Sequence, residues 1–281
     1  MPTASSLVLF ADDTNIFFSG DNPKSLENSI INELDKFYDW FKANKLSLNI
    51  DKTNYMVFGK PHQKFNFRIC LDGKLINRTD KTKFLGVWID SKLSWRDHIN
   101  SISLSVSRSV GILCKLKHFL PKNALRCIYL SLIIPHLTYC LVVWSGTAKS
   151  NLNKLVLLQK KAIRHISGSK WRDHTSPLFA SLKLLKLPDI VNLSIACFVF
   201  RCENSNVPRK FKNLYNHNTQ IHDYNTRQSS ELHRFPCQNN AQKSLRYRSV
   251  IVWNSLPLKS QRFSTINSFK NYLKKYFLSK Y

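Results

Sequence analysis

Apolar and polar residues alternate in blocks along the chain, and the first block is short. Leu7-Val8-Leu9-Phe10 and Ile16-Phe17-Phe18 are β-favouring runs on either side of Ala11-Asp12-Asp13-Thr14-Asn15. The pattern predicts a β-hairpin with two adjacent carboxylates at its tip and flanking runs that can be buried. The turn lacks the Gly or Asn favoured by tight primed turns, so turn geometry alone does not select the acid pair. Asn22-Pro23 then forms an N-cap and first-turn pair. Leu26, Ile30, Ile31, Leu34, Phe37, Tyr38 and Phe41 follow at helical spacing. They predict a helix over 23–43 whose apolar stripe packs on the hairpin's sheet. Beyond a loop over 44–53, extended runs are expected at 55–59 and 65–71. Asp72-Gly73 is a hairpin signal before Lys74-Leu75-Ile76, and a further strand is expected over 82–90.

From Ser94 the period becomes helical. Ile99, Ile102, Val106, Val110, Leu113 and Leu116 share one face, and helical patterns continue over 122–134, 135–145, 152–166, 178–185 and 190–200. In the 152–166 segment Leu152, Leu155, Ala162, Ile163 and Ile166 face a core, while Lys154, Lys160, Lys161 and Arg164 line other faces. Residues 203–245 are rich in Asn, Gln, His and Ser and read as a loop or linker. Structure returns at 250–257, followed by a basic amphipathic helix with Ile266, Phe269, Tyr272, Leu273, Tyr276 and Phe277 on one side. The expected class is α+β, divided into 1–90, 91–202, 203–245 and 246–281. The uncharged run from Cys127 to Trp144 has the length of a membrane span. Pro135 and His136 at its centre, with Lys and Arg close on both sides, fit two short buried helices meeting at Pro135, so no transmembrane span is expected.

Composition adds a second division. An apolar fraction of 43% over 281 residues excludes a disordered chain. Residues 1–90 carry 12 Lys/Arg against 11 Asp/Glu, whereas residues 91–281 carry 31 against 6. A near-neutral module with an acidic site, joined to a strongly basic one, suggests that the second holds a polyanion on which the first acts. The seven cysteines have no C-x-x-C spacing and read as reduced, mostly buried thiols of an intracellular protein, nuclear or cytoplasmic. Cys197-x4-Cys202 with His217-x4-His222 is the one zinc-like pattern, and Cys197 lies in an apolar helical run where a core role is expected. No N-terminal apolar segment indicates secretion.

The acid pair carries the candidate chemistry. Rigid neighbouring carboxylates suit a hard, oxygen-seeking cation such as Mg²⁺, and phosphoryl transfer depends on such carboxylates at fixed positions. Phe10-Ala11-Asp12-Asp13 is followed by Trp40-Phe41-x-x-Asn44-x-Leu46-x-Leu48-Asn49-x-x-Lys52-Thr53 and then by Phe84-Leu85-Gly86-Val87. In this order the three motifs resemble the C-terminal palm of reverse transcriptases from non-LTR retrotransposons of the jockey or LINE type. Tyr139-x4-Trp144, Gln159-Lys160-x-Ala162-x-Arg164, Asn225-Thr226-Arg227 and Trp253-Asn-x-Leu-Pro257 resemble downstream regions of the same proteins.

The resemblance implies a partial palm, an antiparallel sheet with a packed helix, followed by an all-helical basic thumb-like domain. It implies that Asp12 is a catalytic Mg²⁺ ligand with Asp13 beside it, that Lys52 assists departure of pyrophosphate, and that Leu85 and Gly86 grip the primer. The thumb would clamp an RNA–DNA duplex of template and primer by its phosphates, with Lys154, Lys160, Lys161 and Arg164 as backbone contacts. Deoxynucleotides would be the substrates, joined by two-metal nucleotidyl transfer that copies RNA into DNA. Such sites need a further carboxylate from a separate strand, which in this family lies upstream together with the fingers. The eleven residues before Asp12 contain no acid, so the expectation is the back half of an enzyme, inactive by itself. The alternative is a non-catalytic basic nucleic-acid-binding protein whose acid pair is inert.

Overall fold

A computed structural model describes residues 6–59, 65–221, 228–229, 231–237 and 244–281. The class is α+β, and the chain forms two compact units, Met1–Leu93 and Ser94–Tyr281.

The first unit is built from small ladders around one helix. Strands β1 (Ser6–Phe10) and β2 (Asp13–Phe17) form an antiparallel hairpin. Helix α1 (Pro23–Ala43) starts where the Asn22 side chain accepts from the Lys24 and Ser25 amides, at 3.0 and 3.5 Å. Strand β3 (Asn54–Tyr55) pairs in parallel with β6 (Asn77–Arg78), and β4 (Cys70–Leu71) pairs antiparallel with β5 (Lys74–Leu75). Strands β7 (Lys81–Phe84) and β8 (Val87–Asp90) form a further hairpin.

Four expectations for this unit are corrected. The stripe of α1 does not pack on the first hairpin: Ile30, with Leu26, Leu34 and Tyr38 beside it, meets Ile69, Leu71 and Ile76. Leu7, Val8, Leu9, Phe10 and Phe17 stay exposed, Leu9 at 62%, because no other element packs extensively on that hairpin. The single strand expected over 82–90 is broken by a two-residue turn in which both Leu85 (φ 44°) and Gly86 (φ 82°) are left-handed. That geometry matches the right-handed twist of the flanking strands, so the run folds back on itself. The extended run expected over 65–71 is a strand only at Cys70–Leu71.

The second unit is helical. Helices α2 (Arg96–Leu116) and α6 (Lys149–Ser167) pack side by side, and α3 (Lys122–Leu132), α4 (Ile134–Thr138) and α5 (Leu141–Trp144) lie between them in sequence. Pro135 sits in the first turn of α4, where its missing N–H costs nothing. Helices α3 and α4 meet there as expected, and a second break falls at Tyr139 and left-handed Cys140. After α7 (Ser176–Ser181), helix α8 (Leu187–Glu203) buries residues on nearly every side and contacts α5, α9 (Leu245–Asn254) and α10 (Ile266–Leu278). Such all-round burial is the mark of a central helix. Thirty-four buried apolar side chains form one cluster here. Phe200 of α8 stacks on Phe269 of α10 with ring centroids 4.5 Å apart, so the apolar side of α10 is core. Tyr215 and Leu232, from the polar stretch between α8 and α9, are also buried in this cluster.

No helix among the described residues is long and apolar enough to cross a membrane. All seven cysteines are free, and none is fully buried, contrary to expectation; Cys70, Cys127 and Cys140 are exposed.

Candidate functional site

Phe10 pairs with Asp13, which leaves Ala11 and Asp12 as the connecting residues of the first hairpin. Ala11 takes a left-handed φ of 51°, a conformation that costs a non-glycine residue about 1–2 kcal/mol. Ten non-glycine residues among those described share a positive φ, so this strain alone does not mark a site. Asp12 and Asp13 are exposed, and neither carboxylate makes a hydrogen bond or ion pair to another described residue. Two adjacent carboxylates, all oxygen donors, match the chemistry of a hard divalent cation. They supply one side of a coordination sphere, since no group of three or more His, Cys, Asp or Glu suited to a metal occurs among the described residues.

Lys52 closes a single 3-10 turn, Ile50–Lys52, and its side chain is exposed. The turn has a local cause. Asn49 Oδ1 accepts the Lys52 amide at 3.2 Å, and Thr53 Oγ1 donates to the Asn49 carbonyl at 2.9 Å. Asn49, Lys52 and Thr53 of the sequence motif are therefore one hydrogen-bonded loop. No hydrogen bond or ion pair joins Lys52 to Asp12 or Asp13. Leu85 and Gly86 occupy the β7–β8 turn, half-buried and exposed respectively. The structure thus places these candidates on three separate turns of the first unit.

The same unit holds a feature that sequence reasoning missed. A cleft of about 740 Å³ is lined by Tyr38 and Lys42 from α1, by residues 45–51, and by Asp72 and Lys74. The Tyr38 hydroxyl donates to the Asp72 carboxylate, and this bond pushes the phenol's pKa up because ionisation would set two anions together. Lys42 and Lys45 were legible only as solvated charges ending a helix. The approach of the β4–β5 turn, carrying Asp72, is long-range information.

In the second unit the four basic candidates differ in how far they are occupied. Lys154 is exposed and donates to Asn100 Oδ1 at 3.1 Å, tying α6 to α2. Lys160 is half-buried and Lys161 exposed. Arg164 is partly structural: its guanidinium donates twice to the Asp173 carbonyl, at 3.3 and 3.0 Å, and lies 5.8 Å from the Trp171 ring centroid.

The motif residues around these cations are core. Trp144 is fully buried and its Nε1 donates to the Tyr139 carbonyl at 2.7 Å. Gln159, 1% exposed, donates to the Tyr129 hydroxyl (2.8 Å) and the Leu185 carbonyl (3.0 Å) and accepts the Leu187 amide (2.8 Å). Burial pushes the pKa of the Tyr129 phenol up, against the opposing effect of the hydrogen bond from Gln159.

Among the described residues, Cys197, Cys202 and His217 of the zinc-like pattern form no group suited to a metal. Burial raises the thiol pKa of Cys197 and pushes that of Cys202 up to about 11, which disfavours thiolate ligands. His217 instead meets Glu203 at 2.8 Å. His222 and Asn225-Thr226-Arg227 lie outside the described residues.

With this geometry in place, comparison with known proteins identifies the class. Over 186 residues, 65% of the chain, it is 31% identical to the RNA-directed DNA polymerase from mobile element jockey of Drosophila melanogaster. Over 187 residues it is 27% identical to the jockey polymerase of Drosophila funebris. It is 24% identical, again over 187 residues, to the probable RNA-directed DNA polymerase from transposon BS of Drosophila melanogaster. These matches cover 20%, 20% and 21% of the relatives, so the chain spans about a fifth of their length. About two-thirds of the chain is thus homologous to a segment of jockey-type non-LTR retrotransposon reverse transcriptases. No family model and no solved structure matches it.

Proposed function

We propose that this chain is the part of an RNA-directed DNA polymerase that carries the acid-pair end of the palm, the primer-grip turn and the thumb. In this reading the second unit holds a template–primer duplex of RNA and DNA by its phosphates, and the Asp12–Asp13 hairpin contributes to nucleotidyl transfer. Asp12 and Asp13 are the residues that would hold Mg²⁺, which when bound neutralises charge on the reacting phosphates. Lys52, on an exposed turn stiffened by Asn49, would offer a positive charge to departing pyrophosphate. The Leu85-Gly86 turn offers a backbone surface with little side chain at Gly86, which suits contact with a primer strand.

The observation that carries the reading is the uncompensated charge of the helical unit. Three of its few acids are engaged by groups other than its lysines' and arginines' charged ends: Asp189 accepts from the Tyr281 hydroxyl at 2.7 Å, Glu203 meets His217, and Asp173 accepts the Lys170 amide at 2.7 Å. The lysines and arginines are left for an external polyanion, and no base-reading motif accompanies them.

The test is filter binding of a mixed-sequence RNA–DNA duplex across a salt series. A protein touching about six phosphates loses roughly a thousandfold in affinity between about 50 and 200 mM salt. A loss of that order is expected here, and reversing Lys160 and Lys161 to Glu should flatten the slope. A salt-independent affinity, or none at low salt, defeats the reading. Primer extension by the 281 residues alone is not expected, because the two described carboxylates approach a cation from one side.

A further inference from the structure

The proposed clamp accounts for the cations of α6 but not for the loop that follows them. Helix α6 ends at Gly168, whose φ of 70° gives the left-handed cap that turns the chain away. The next residues are Ser169-Lys170-Trp171-Arg172-Asp173. Trp171 is 72% exposed, although burying an indole is among the larger apolar gains a fold can make.

This exposure sits on a braced loop. Asp173 Oδ2 accepts the Lys170 amide at 2.7 Å, the Asp173 amide donates to the Lys170 carbonyl at 3.2 Å, and Arg164 holds the Asp173 carbonyl. Arg164 also stands 5.8 Å from the ring centroid, at the outer edge of a cation–π contact. Lys160 lies one helical turn before Arg164 and so on the same side of α6. The result is a mostly bare aromatic ring on a braced loop, with Arg164 beside it, Lys170 and Arg172 adjoining it in sequence, and Lys160 one turn before Arg164 on α6. The one acid in the loop, Asp173, has a carboxylate oxygen engaged by the Lys170 amide.

We infer that Trp171 is a stacking platform for an unpaired base of single-stranded nucleic acid, its flanking phosphates held by Lys170, Arg172 and Lys160. An aromatic ring accepts any base by its π face, and neighbouring cations supply the backbone attraction that makes stacking selective for nucleic acid. Charge decides the occupant: an apolar protein partner gains nothing from a loop and helix end that carry these four cations and one acid, whereas a phosphodiester strand does. Duplex bases are already stacked and offer no free face, so the platform serves single strands such as unpaired template. The inference rests on the nucleic-acid reading above and adds a strand preference to it.

The test compares wild type, Trp171→Ala and Trp171→Phe as full chains, by fluorescence anisotropy with a labelled oligouridine and with a blunt RNA–DNA duplex. Stacking on one base is worth about 5- to 150-fold in affinity. Trp171→Ala should weaken oligouridine binding within that range, leave duplex binding and both salt slopes unchanged, and keep the wild-type melting temperature. Trp171→Phe should recover most of the loss. Equal losses on both ligands, a changed salt slope, or no loss on oligouridine overturns the platform while leaving the clamp standing. Failure of the wild type to bind either ligand at low salt overturns both.

Discussion

The two units solve the same problem with unequal means. The second packs thirty-four buried apolar side chains into one cluster around α8, and the first gathers four, Ile30, Ile69, Leu71 and Ile76. Each fully buried aliphatic or aromatic side chain stabilises by roughly 1.5–3 kcal/mol, so the helical unit rests on packing. The first unit rests on short ladders and local caps. The candidate chemistry lies in the sparse unit and the candidate phosphate contacts on the dense one. A clamp needs cations at fixed spacing, which a rigid bundle provides, whereas the acid-pair hairpin keeps five large apolar side chains exposed and depends on whatever covers them.

The largest effect that can break this contrast is in amide exchange. Amides of α2, α6 and α8 should exchange only through global opening, on the order of 5–15 kcal/mol, while those of the β1–β2 hairpin should exchange with opening energies near zero. Exchange mass spectrometry showing equal protection would refute it.

A paired substitution sharpens the contrast at the level of single residues. Gln159→Leu leaves the Tyr129 hydroxyl, the Leu185 carbonyl and the Leu187 amide without their buried partner and should cost about 3 kcal/mol or more. Asn49→Ala removes an exposed cap from the Lys52 turn and should cost about 1 kcal/mol. Urea denaturation of both variants measures the difference, and a cheaper Gln159→Leu would show that the helical unit tolerates holes.

The smallest effect is in pH. Burial lowers the pKa of His98, and burial with the nearby charges of Lys117 and Lys161 lowers that of His165. Between the folded and unfolded values the unfolded chain binds more protons, so stability is present above about pH 6.5 and is lost as pH falls below it. Thermal melts from neutral to mildly acidic pH should show the helical unit losing stability first. A flat profile would mean that neither imidazole is held neutral.

Much of this architecture was legible in the residues. Asn22-Pro23 and an uninterrupted helical stripe place α1 at Pro23–Ala43, and six apolar positions at helical spacing place α2. Asp72-Gly73 marks its turn because both residues tolerate a positive φ. The turn at Leu85-Gly86 was hidden because a leucine in the left-handed region contradicts local preference, and only the pairing of Lys81–Phe84 with Val87–Asp90 compensates for it. The buried role of Gln159 was equally hidden, since a glutamine beside two lysines reads as surface until Tyr129, Leu185 and Leu187 arrive around it.

By itself, then, the sequence determined the elements whose causes are local, the separation of an acidic site from a basic region, and the ordered motifs that tie the chain to jockey-type polymerases. Tertiary structure alone decided which stripe meets which partner, that α1 faces Ile69, Leu71 and Ile76 and not the hairpin, that Arg164 braces the loop after α6, and that Trp171 stands bare. Caps, turns and periodicity act within a few residues of their cause. Burial and charge compensation depend on segments far apart in the chain, and those exist as neighbours only after it has folded.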